Sequence, residues 1–193
     1  MIMGEFGFRG ISEVIATTVS ESGEPNAAPI GIISDGNLSA RVYTNTQTYA
    51  NIKATNKMVA NIVDDPLLFV LSALTKLPLD EICMGGEYPV LKAANAWVVF
   101  ECSIEDNPRC ATVILRPLRK KILKRSIQPV NRGFNAVIEA TIYATRYLAM
   151  KDPKYLRWIK HCEKIVIKCG GEREKESMRK LKEFFGADRK NCG

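Results

Sequence analysis

The sequence predicts an α+β protein, in which an antiparallel β-sheet region is followed by a C-terminal bundle of helices. Short β-branched runs separated by turns that contain Gly and Pro occupy residues 14–43 and resume at residues 96–117. Such runs are typical of antiparallel hairpins. From residue 131 onward the spacing of apolar residues changes to that of amphipathic helices, which pack through one face.

The first three predicted strands form a meander. Val14–Val19 and Ala27–Ile33 are apolar runs joined by a turn that contains a glycine and a proline. A second turn at residues 34–37 leads into Ser39–Tyr43. Gly and Pro mark these turns because they supply or fix unusual backbone angles. Two hairpin connections in succession predict three neighbouring antiparallel strands.

A polar corner follows the third strand. Residues 43–48 read YTNTQT, a cluster of hydroxyls and amides that precedes a predicted short helix at Tyr49–Asn56. The start of a helix presents backbone N–H groups without intrahelical partners and the positive end of the helix dipole. Short hydroxyl side chains add further donors. This combination suits a phosphate group.

The middle of the chain is less regular. Met58–Val63 is a predicted strand that an Asp-Asp-Pro sequence ends. The apolar run Leu67–Leu74 fits either a strand or a short buried helix, because periodicity does not distinguish them at this length. Residues 75–89 contain two glycines and two prolines and are predicted to form a long connection.

Two further strands, Ala96–Ser103 and Arg109–Pro117, complete the predicted sheet region. Successive side chains of a strand point to opposite faces. In the first of these strands one face carries Trp97, Val99 and Glu101, and the other carries Val98, Phe100 and Cys102. We expect the sheet region to end near residue 125.

Three helices are predicted in the C-terminal part. The first begins near residue 131, and an Asp-Pro pair at residues 152–153 provides an N-cap and a first-turn proline for the second. A Gly-Gly pair ends the second helix, and Glu172–Phe185 forms the third. We therefore divide the chain into a β domain, residues 1–128, and a helical subdomain, residues 129–193, packed on it.

Composition restricts the class of protein. The chain has 193 residues, of which 46% are hydrophobic and 25% charged, as in ordinary soluble globular proteins. No apolar run reaches the roughly 20 residues that a membrane-spanning helix needs. The N-terminal residues lack the basic and then apolar layout of a signal peptide. We therefore expect a cytoplasmic protein that does not contact a membrane.

The six cysteines and the single histidine, His161, show no spacing typical of metal binding. No Cys-x-x-Cys pair occurs, whereas structural zinc sites combine closely spaced Cys and His residues. Cysteines inside apolar patterns behave as small hydrophobic residues. We therefore expect reduced thiols and no metal site.

Three motifs are similar to those of a flavin-binding superfamily. They are Gly-x-Pro-x-x-x-Pro-apolar-x-apolar at residues 23–32, Tyr-Thr-x-x-x-Thr-x-x-Asn-Ile at 43–52, and Asn-x-x-Val-Ala-x-Ile-Val at 56–63. The chain resembles the flavin-binding split β-barrels, the superfamily of pyridoxamine-phosphate oxidases and flavin reductases. Over its whole length it looks more closely like a largely archaeal family of unknown function, number 447. This resemblance implies an antiparallel split β-barrel with a C-terminal helical bundle.

The resemblance also implies FMN as cofactor and two groups of binding residues. In the superfamily the strand-to-helix corner holds the flavin phosphate, and a neighbouring strand bonds the polar edge of the flavin ring through its backbone. The residues thus implied at the corner are Thr44, Thr46, Thr48, Tyr49 and Asn51. Those implied on the strand, where small residues permit a close approach, are Ala28, Pro29, Ile30 and Gly31.

The corner differs from that of pyridoxamine-phosphate oxidases in one respect. Tyr49 and Ala50 occupy positions where those enzymes carry basic residues. The counter-charge of the phosphate is therefore unassigned, and the candidates are Lys53, Arg41 or a residue of the helical tail.

No residue has the sequence context of a catalytic acid, base or nucleophile, so any redox chemistry would belong to the flavin. The resemblance implies an FMN-binding flavoprotein, either a flavin-dependent oxidoreductase of unknown substrate or a protein that stores or senses flavin. It also implies a homodimer with flavin at the interface. A deazaflavin in place of FMN stays open.

A basic segment indicates an alternative function. Residues 116–125 read RPLRKKILKR and carry six positive charges, which suits a nucleic-acid-binding module. Aromatic residues, on which the bases of single strands stack, are absent from the segment. We therefore keep nucleic-acid binding as the alternative and do not expect nucleic acid as a partner.

Overall fold

The computed structural model of the protein describes the backbone of residues 7–190 and side chains as far as residue 185. The chain forms two compact units. The first comprises the residues up to Asp64 together with Leu77–Ser126, and the second comprises Asp65–Lys76 and the residues from Ile127 onward.

The first unit is a closed antiparallel barrel, which confirms the predicted α+β fold. Its strands are β1 (Gly10–Val19), β2 (Pro25–Ser34), β3 (Leu38–Tyr43), β4 (Lys57–Ile62), β7 (Ala96–Glu105) and β8 (Cys110–Ile122), with the hairpin β5 (Ile82–Gly85) and β6 (Tyr88–Leu91) beside them. Around the barrel the described strands follow the order β1-β2-β3-β8-β7-β4. A short helix, α1 (Gln47–Thr55), connects β3 to β4.

The alternation predicted for β7 is confirmed. Val98, Phe100 and Cys102 are buried in the main cluster of apolar residues in the barrel. Trp97 and Val99 belong to a different cluster, which includes Val59 of β4 and Val90 of β6. The hairpin β5–β6 therefore covers one outer face of the barrel.

The prediction of a long connection at residues 75–89 was wrong in part, because this stretch contains the hairpin. Two long-range hydrogen bonds secure it to the barrel. The Thr17 hydroxyl donates to the Pro89 carbonyl oxygen at 2.5 Å, and the Leu91 amide donates to Asn61 Oδ1 at 2.9 Å. Four-residue strands held by partners so distant in sequence leave little local pattern to recognise.

The structure decides the ambiguous run at residues 67–74. It is helix α2 (Pro66–Leu74), which begins with Asp65 accepting a hydrogen bond from the Leu67 amide and with a proline at the first turn. Buried apolar residues of α2 pack among those of the C-terminal helices, and Val70 is one of them. Residues 65–76 consequently group with the second unit, whereas they were predicted to belong to the β domain.

The remaining helices of the second unit are α3 (Arg132–Met150), α4 (Lys154–Cys169) and α5 (Glu172–Lys190). The buried face of α3 is formed largely by small residues: Ala136, Val137, Ala140, Thr141 and Ala144. Helical periodicity of the larger side chains alone selects a different set, which omits these alanines: Phe134, Val137, Ile138, Thr141, Thr145 and Leu148. Alanines allow close helix packing, and at the start of α3 a Cβ added to Gly133 would lie 2.4 Å from Gly170 Cα.

None of the helices in the described part of the chain combines the length and the apolar character needed to cross a membrane.

Candidate functional site

The N-terminal half of β2 has an edge without a strand partner in the described structure. β2 pairs with β1 along its whole length, from Pro25 to Ser34. It pairs with β3 only from Ile32 to Ser34. Four of the predicted site residues, Ala28–Gly31, therefore lie on this open edge. Pro29 lacks an N–H group, and a strand tolerates such a residue where no ladder bond is required.

Gly31 makes room for neighbouring side chains of the same chain. A Cβ added there would lie 2.7 Å from Ile11 Cγ2 and 3.1 Å from Glu13 Oε1, both on β1. The face of β2 above Gly31 is thus already covered. The small residue was expected to admit a ligand, but what stays accessible in this geometry is the backbone along the edge.

Helix α1 at the strand-to-helix corner begins at Gln47, two residues earlier than predicted. Thr46 is the N-cap of α1, because its Oγ1 accepts a hydrogen bond from the Tyr49 amide at 3.3 Å. The same hydroxyl donates to the Tyr43 carbonyl oxygen at 2.7 Å. The amides of Gln47 and Thr48 precede the first intrahelical hydrogen bond, so the helix provides no acceptor for them.

Thr44 connects the corner to the β7–β8 loop. Its amide donates to the Arg109 carbonyl oxygen, and its hydroxyl donates to the Pro108 carbonyl oxygen, both at 3.2 Å. These bonds place the exposed Arg109 next to the corner. Arg109 was not among the counter-charges predicted from the sequence, because no local pattern relates residues so far apart in the chain.

Two predicted site residues of α1 face the barrel. Thr48 and Asn51 are 3% and 1% exposed. Asn26 Nδ2 donates to Thr48 Oγ1 at 3.1 Å, and Asn51 Nδ2 donates to Thr18 Oγ1 at 3.0 Å. Asn51 also accepts from Gln47 Nε2 at 2.6 Å. Asn26 and Thr18 are paired across β1 and β2, so these bonds hold the start of α1 against the open edge.

Tyr49 belongs to a charged cluster with Asp106 and Lys53. Its hydroxyl donates to Asp106 Oδ1 at 2.5 Å, and Lys53 Nζ lies 3.2 Å from the Tyr49 hydroxyl and 3.5 Å from Asp106. The hydrogen bond from Tyr49 and the charge of Lys53 lower the pKa of Asp106. The hydrogen bond to Tyr49 and the charge of Asp106 raise the pKa of Lys53. Lys53 is therefore already paired with a carboxylate.

Because Lys53 is paired with Asp106, the remaining candidates for the counter-charge of a phosphate are two arginines. Arg41 is exposed on β3, and Arg109 is exposed beside Thr44. Neither forms an ion pair with another residue of the described chain. The corner thus combines helix-start amides with an unpaired arginine, Arg109, whose backbone adjoins Thr44, and both features favour a phosphate.

The thiols and carboxylates do not assemble into a metal site among the side chains that the structure describes, which extend as far as residue 185. The described residues contain no group of three or more His, Cys, Asp or Glu side chains that could hold a metal ion. The five described cysteines are unpaired, and Cys192 lies outside the description. Burial raises the pKa of Cys102 to about 12, so this thiol is not a nucleophile at neutral pH.

The basic segment at residues 116–125 lies partly in a strand. Residues up to Ile122 belong to β8 and pair with β7. Arg116 is ion-paired with Glu101 across these two strands. Nucleic-acid binding by this segment stays a prediction.

The barrel and its open edge define the class of protein: this is the FMN-binding split β-barrel fold. A flavin reductase domain protein from Arthrobacter sp. FB24 shares the fold at 14% identity and a TM-score of 0.50, covering 63% of this chain and 82% of that one. A 2-nitrobenzoate 2-nitroreductase from Pseudomonas fluorescens does so at 16% identity and a TM-score of 0.50, covering 61% and 67%.

Within this class, the chain belongs to the DUF447 family. Residues 12–124 match the N-terminal domain and residues 131–183 the remainder of the family described as "Protein of unknown function (DUF447)". An FMN-bound DUF447 protein from Methanosarcina mazei is 40% identical, with a TM-score of 0.85, and the match covers 92% of this chain and 96% of that one. The resemblance to this family that the sequence indicated is confirmed, and it extends over the C-terminal helices.

Proposed function

We propose that this protein is an FMN-binding flavoprotein, with the phosphate at the start of α1 and the flavin ring along the open edge of β2. One observation carries the proposal: the Asn26–Thr48 hydrogen bond holds the helix start directly against the strand edge that lacks a partner. The FMN-bound relative, which is 40% identical across 92% of the chain, supports the choice of cofactor.

The phosphate end fits the donors present. The amides of Gln47 and Thr48 lie at the helix start. Thr44 and Thr46 donate their hydroxyl protons to carbonyl oxygens, whereas Thr48 accepts from Asn26 and therefore keeps its own proton for a ligand. Arg109 would supply charge. Hydrogen bonds to a phosphate are charge-assisted and contribute about 1.5–3 kcal/mol each.

The ring end fits the backbone of β2. Pro29 preserves the β1–β2 ladder only if its nitrogen points away from β1. Alternate residues of a paired strand direct their N–H and C=O groups the same way. Ala27, Pro29 and Gly31 consequently direct theirs to the open edge. Two N–H donors and three carbonyl acceptors would there face the polar edge of the flavin ring.

When bound, the flavin would supply the electron and hydride transfer of an oxidoreductase. The chain's own contribution is binding and orientation. Asp106 stays ionised because its pKa is lowered, so it does not provide a proton. The substrate and the electron donor are left open, and the cytoplasmic location stays a prediction.

The proposal includes a homodimer that covers the flavin. Two large apolar side chains next to the site are uncovered in the single chain. Ile11, which lies over Gly31, is 66% exposed, and Tyr43, which precedes the corner, is 53% exposed. A second subunit at this surface would remove both from water. Light scattering should then give about twice the 21.5 kDa chain mass. A strict monomer that retains FMN contradicts the dimer but leaves the flavin proposal intact.

Titration calorimetry with FMN and riboflavin on flavin-free protein tests the cofactor. FMN should bind at least about a hundredfold more tightly, because two charge-assisted hydrogen bonds separate the ligands. Arg109→Gln should weaken FMN by about tenfold and leave riboflavin unchanged, since only FMN carries the phosphate. Arg125→Gln is the matched control, because it removes the same charge from an exposed arginine that makes none of the corner contacts. Equal affinities for FMN and riboflavin would contradict the phosphate site.

A further inference from the structure

A cleft between α3 and α4 lies entirely within the second unit. Its volume is about 390 Å³, within the range of roughly 300–1,000 Å³ typical of small-molecule sites. Helix α3 contributes Arg132, Asn135, Glu139 and Tyr143, and helix α4 contributes Trp158 and His161. Nothing in the proposed flavin site uses these side chains.

The groups along α3 follow a fixed order. Glu139 is four residues from Tyr143, and Arg132 is seven residues from Glu139. At 1.5 Å per residue these separations correspond to about 6 Å and about 10 Å along the helix axis. The cleft therefore has an aromatic end, a carboxylate in the middle and a guanidinium at the far end.

The aromatic end is held in place by ring contacts. The rings of Tyr143 and Trp158 lie 5.0 Å apart, and Tyr155 contacts Trp158 edge-on at 5.5 Å. Trp158 is nevertheless 43% exposed. A positioned but accessible indole face is a stacking surface for a planar ring.

The middle of the cleft presents an oriented acceptor. Burial, together with the charge of the nearby Glu139 carboxylate, raises the pKa of Tyr143. A carboxylate has about four acceptor sites, so Glu139 keeps lone pairs for hydroxyl donors of a ligand.

The far end presents an unused cation. Arg132 forms no hydrogen bond or ion pair within the described part of the chain. The Asn131 side chain already caps the amides of Gly133 and Phe134, so the charge at this end comes from the guanidinium and not from the helix start.

We propose that this cleft binds a mononucleotide, with the base on Trp158, the sugar hydroxyls at Glu139 and the phosphate at Arg132. Aromatic side chains stack with bases of any type. Carboxylates accept hydrogen bonds from ribose hydroxyls in dinucleotide sites. Guanidinium groups match phosphate oxygens in charge and geometry. The three groups occur in the same order as the three parts of the ligand.

Calorimetry on the flavin-loaded protein tests this, with adenosine 5′-monophosphate and adenosine as the matched probes. The monophosphate should bind about ten- to a hundredfold more tightly than adenosine. Arg132→Gln should remove that difference while leaving adenosine binding unchanged. Arg179→Gln, an exposed arginine of α5 outside the cleft, should change neither.

The aromatic end has its own test. Trp158→Leu should weaken the monophosphate and adenosine equally, by about five- to a hundredfold, because stacking does not involve the phosphate. Nicotinamide mononucleotide in place of the adenine nucleotide reports the preference for the base. Melting temperatures identify a variant that fails to fold, in which case Trp158→Phe, which keeps an aromatic face, must retain most of the affinity.

Three binding results would overturn the proposal. They are no binding of either nucleotide to the wild-type protein, equal affinity for the monophosphate and adenosine, and loss of FMN on Arg132→Gln. The last would assign the cleft to the flavin site. A cleft variant that changes the oligomeric state would likewise show that a second copy, and not a nucleotide, covers this surface.

Discussion

The barrel and the helical unit bury their polar side chains in different ways. In the barrel such side chains connect separate elements: Asn61 joins β4 to β1 and β6, and Asn51 joins α1 to β1. In the helical unit the buried hydroxyls of Ser72, Thr141 and Ser177 donate to carbonyl oxygens four residues earlier in their own helices. The barrel therefore depends on long-range polar contacts, whereas the helices are held together by apolar packing.

This difference between the units determines how much stability is lost when one partner of a buried hydrogen bond is removed. Removing one partner of a buried long-range hydrogen bond leaves the other without water or a replacement, which costs about 1–3 kcal/mol per group. A carbonyl oxygen inside a helix already accepts from the backbone, so it loses only a second partner.

The largest effect is expected for Asn61→Ala. Asn61 is fully buried and makes hydrogen bonds to the Ile15 carbonyl oxygen, the Thr17 hydroxyl and the Leu91 amide. Its removal should lower the free energy of unfolding by about 3 kcal/mol or more, because several buried groups lose their partner. Urea unfolding followed by circular dichroism measures it.

Thr141→Val in α3 is the matched change in the helical unit and should cost less than about 1 kcal/mol. Its hydroxyl bonds only the Val137 carbonyl oxygen of the same helix. If Asn61→Ala and Thr141→Val lower the free energy of unfolding by similar amounts, the proposed difference between the barrel and the helical unit is contradicted.

Thr48→Val addresses a barrel contact that the proposed site also uses. The substitution leaves Asn26 Nδ2 without its acceptor, so the melting temperature should fall, equivalent to about 1–3 kcal/mol. If Thr48 also donates to the phosphate, FMN affinity should drop about ten- to a hundredfold and riboflavin affinity far less. Equal changes for both ligands, together with a lower melting temperature, would make Thr48 a purely structural residue.

The last comparison concerns two buried thiols, one in each unit. Burial raises the pKa of Cys102 in the barrel to about 12 and raises the pKa of Cys162 in the helical unit. The native thiol keeps its proton to higher pH than the unfolded one, so unfolding releases a proton above about pH 9. Stability should therefore fall as pH rises, by at most about 1.4 kcal/mol per pH unit for one group.

Unfolding measured from pH 8 to pH 10.5 should show a shallower decline for Cys102→Ala than for the wild-type protein. Cys162→Ala should change the slope less, because Cys162 lines the cleft and lies closer to water. Parallel slopes for all three proteins would contradict the difference in environment.

Local pattern was sufficient for much of this protein. The turns between the first three strands, the alternation in β7, the Asp-Pro start of the second tail helix and its Gly-Gly end were all visible in the sequence, because each depends on residues close together in the chain. The motifs at residues 23–32 and 43–52 identified the barrel class for the same reason.

Tertiary structure decided the rest. Leu67–Leu74 is a helix because Asp65 caps it and the bundle buries it, and the hairpin β5–β6 exists because Thr17 and Asn61 hold it. Likewise, Thr48 and Asn51 acquired their partners on β2 and β1, and Arg109 its place beside Thr44, only on folding. Hydrogen bonds between residues tens of positions apart leave no periodicity in a sequence, so composition and spacing alone could nominate the corner but not its partners.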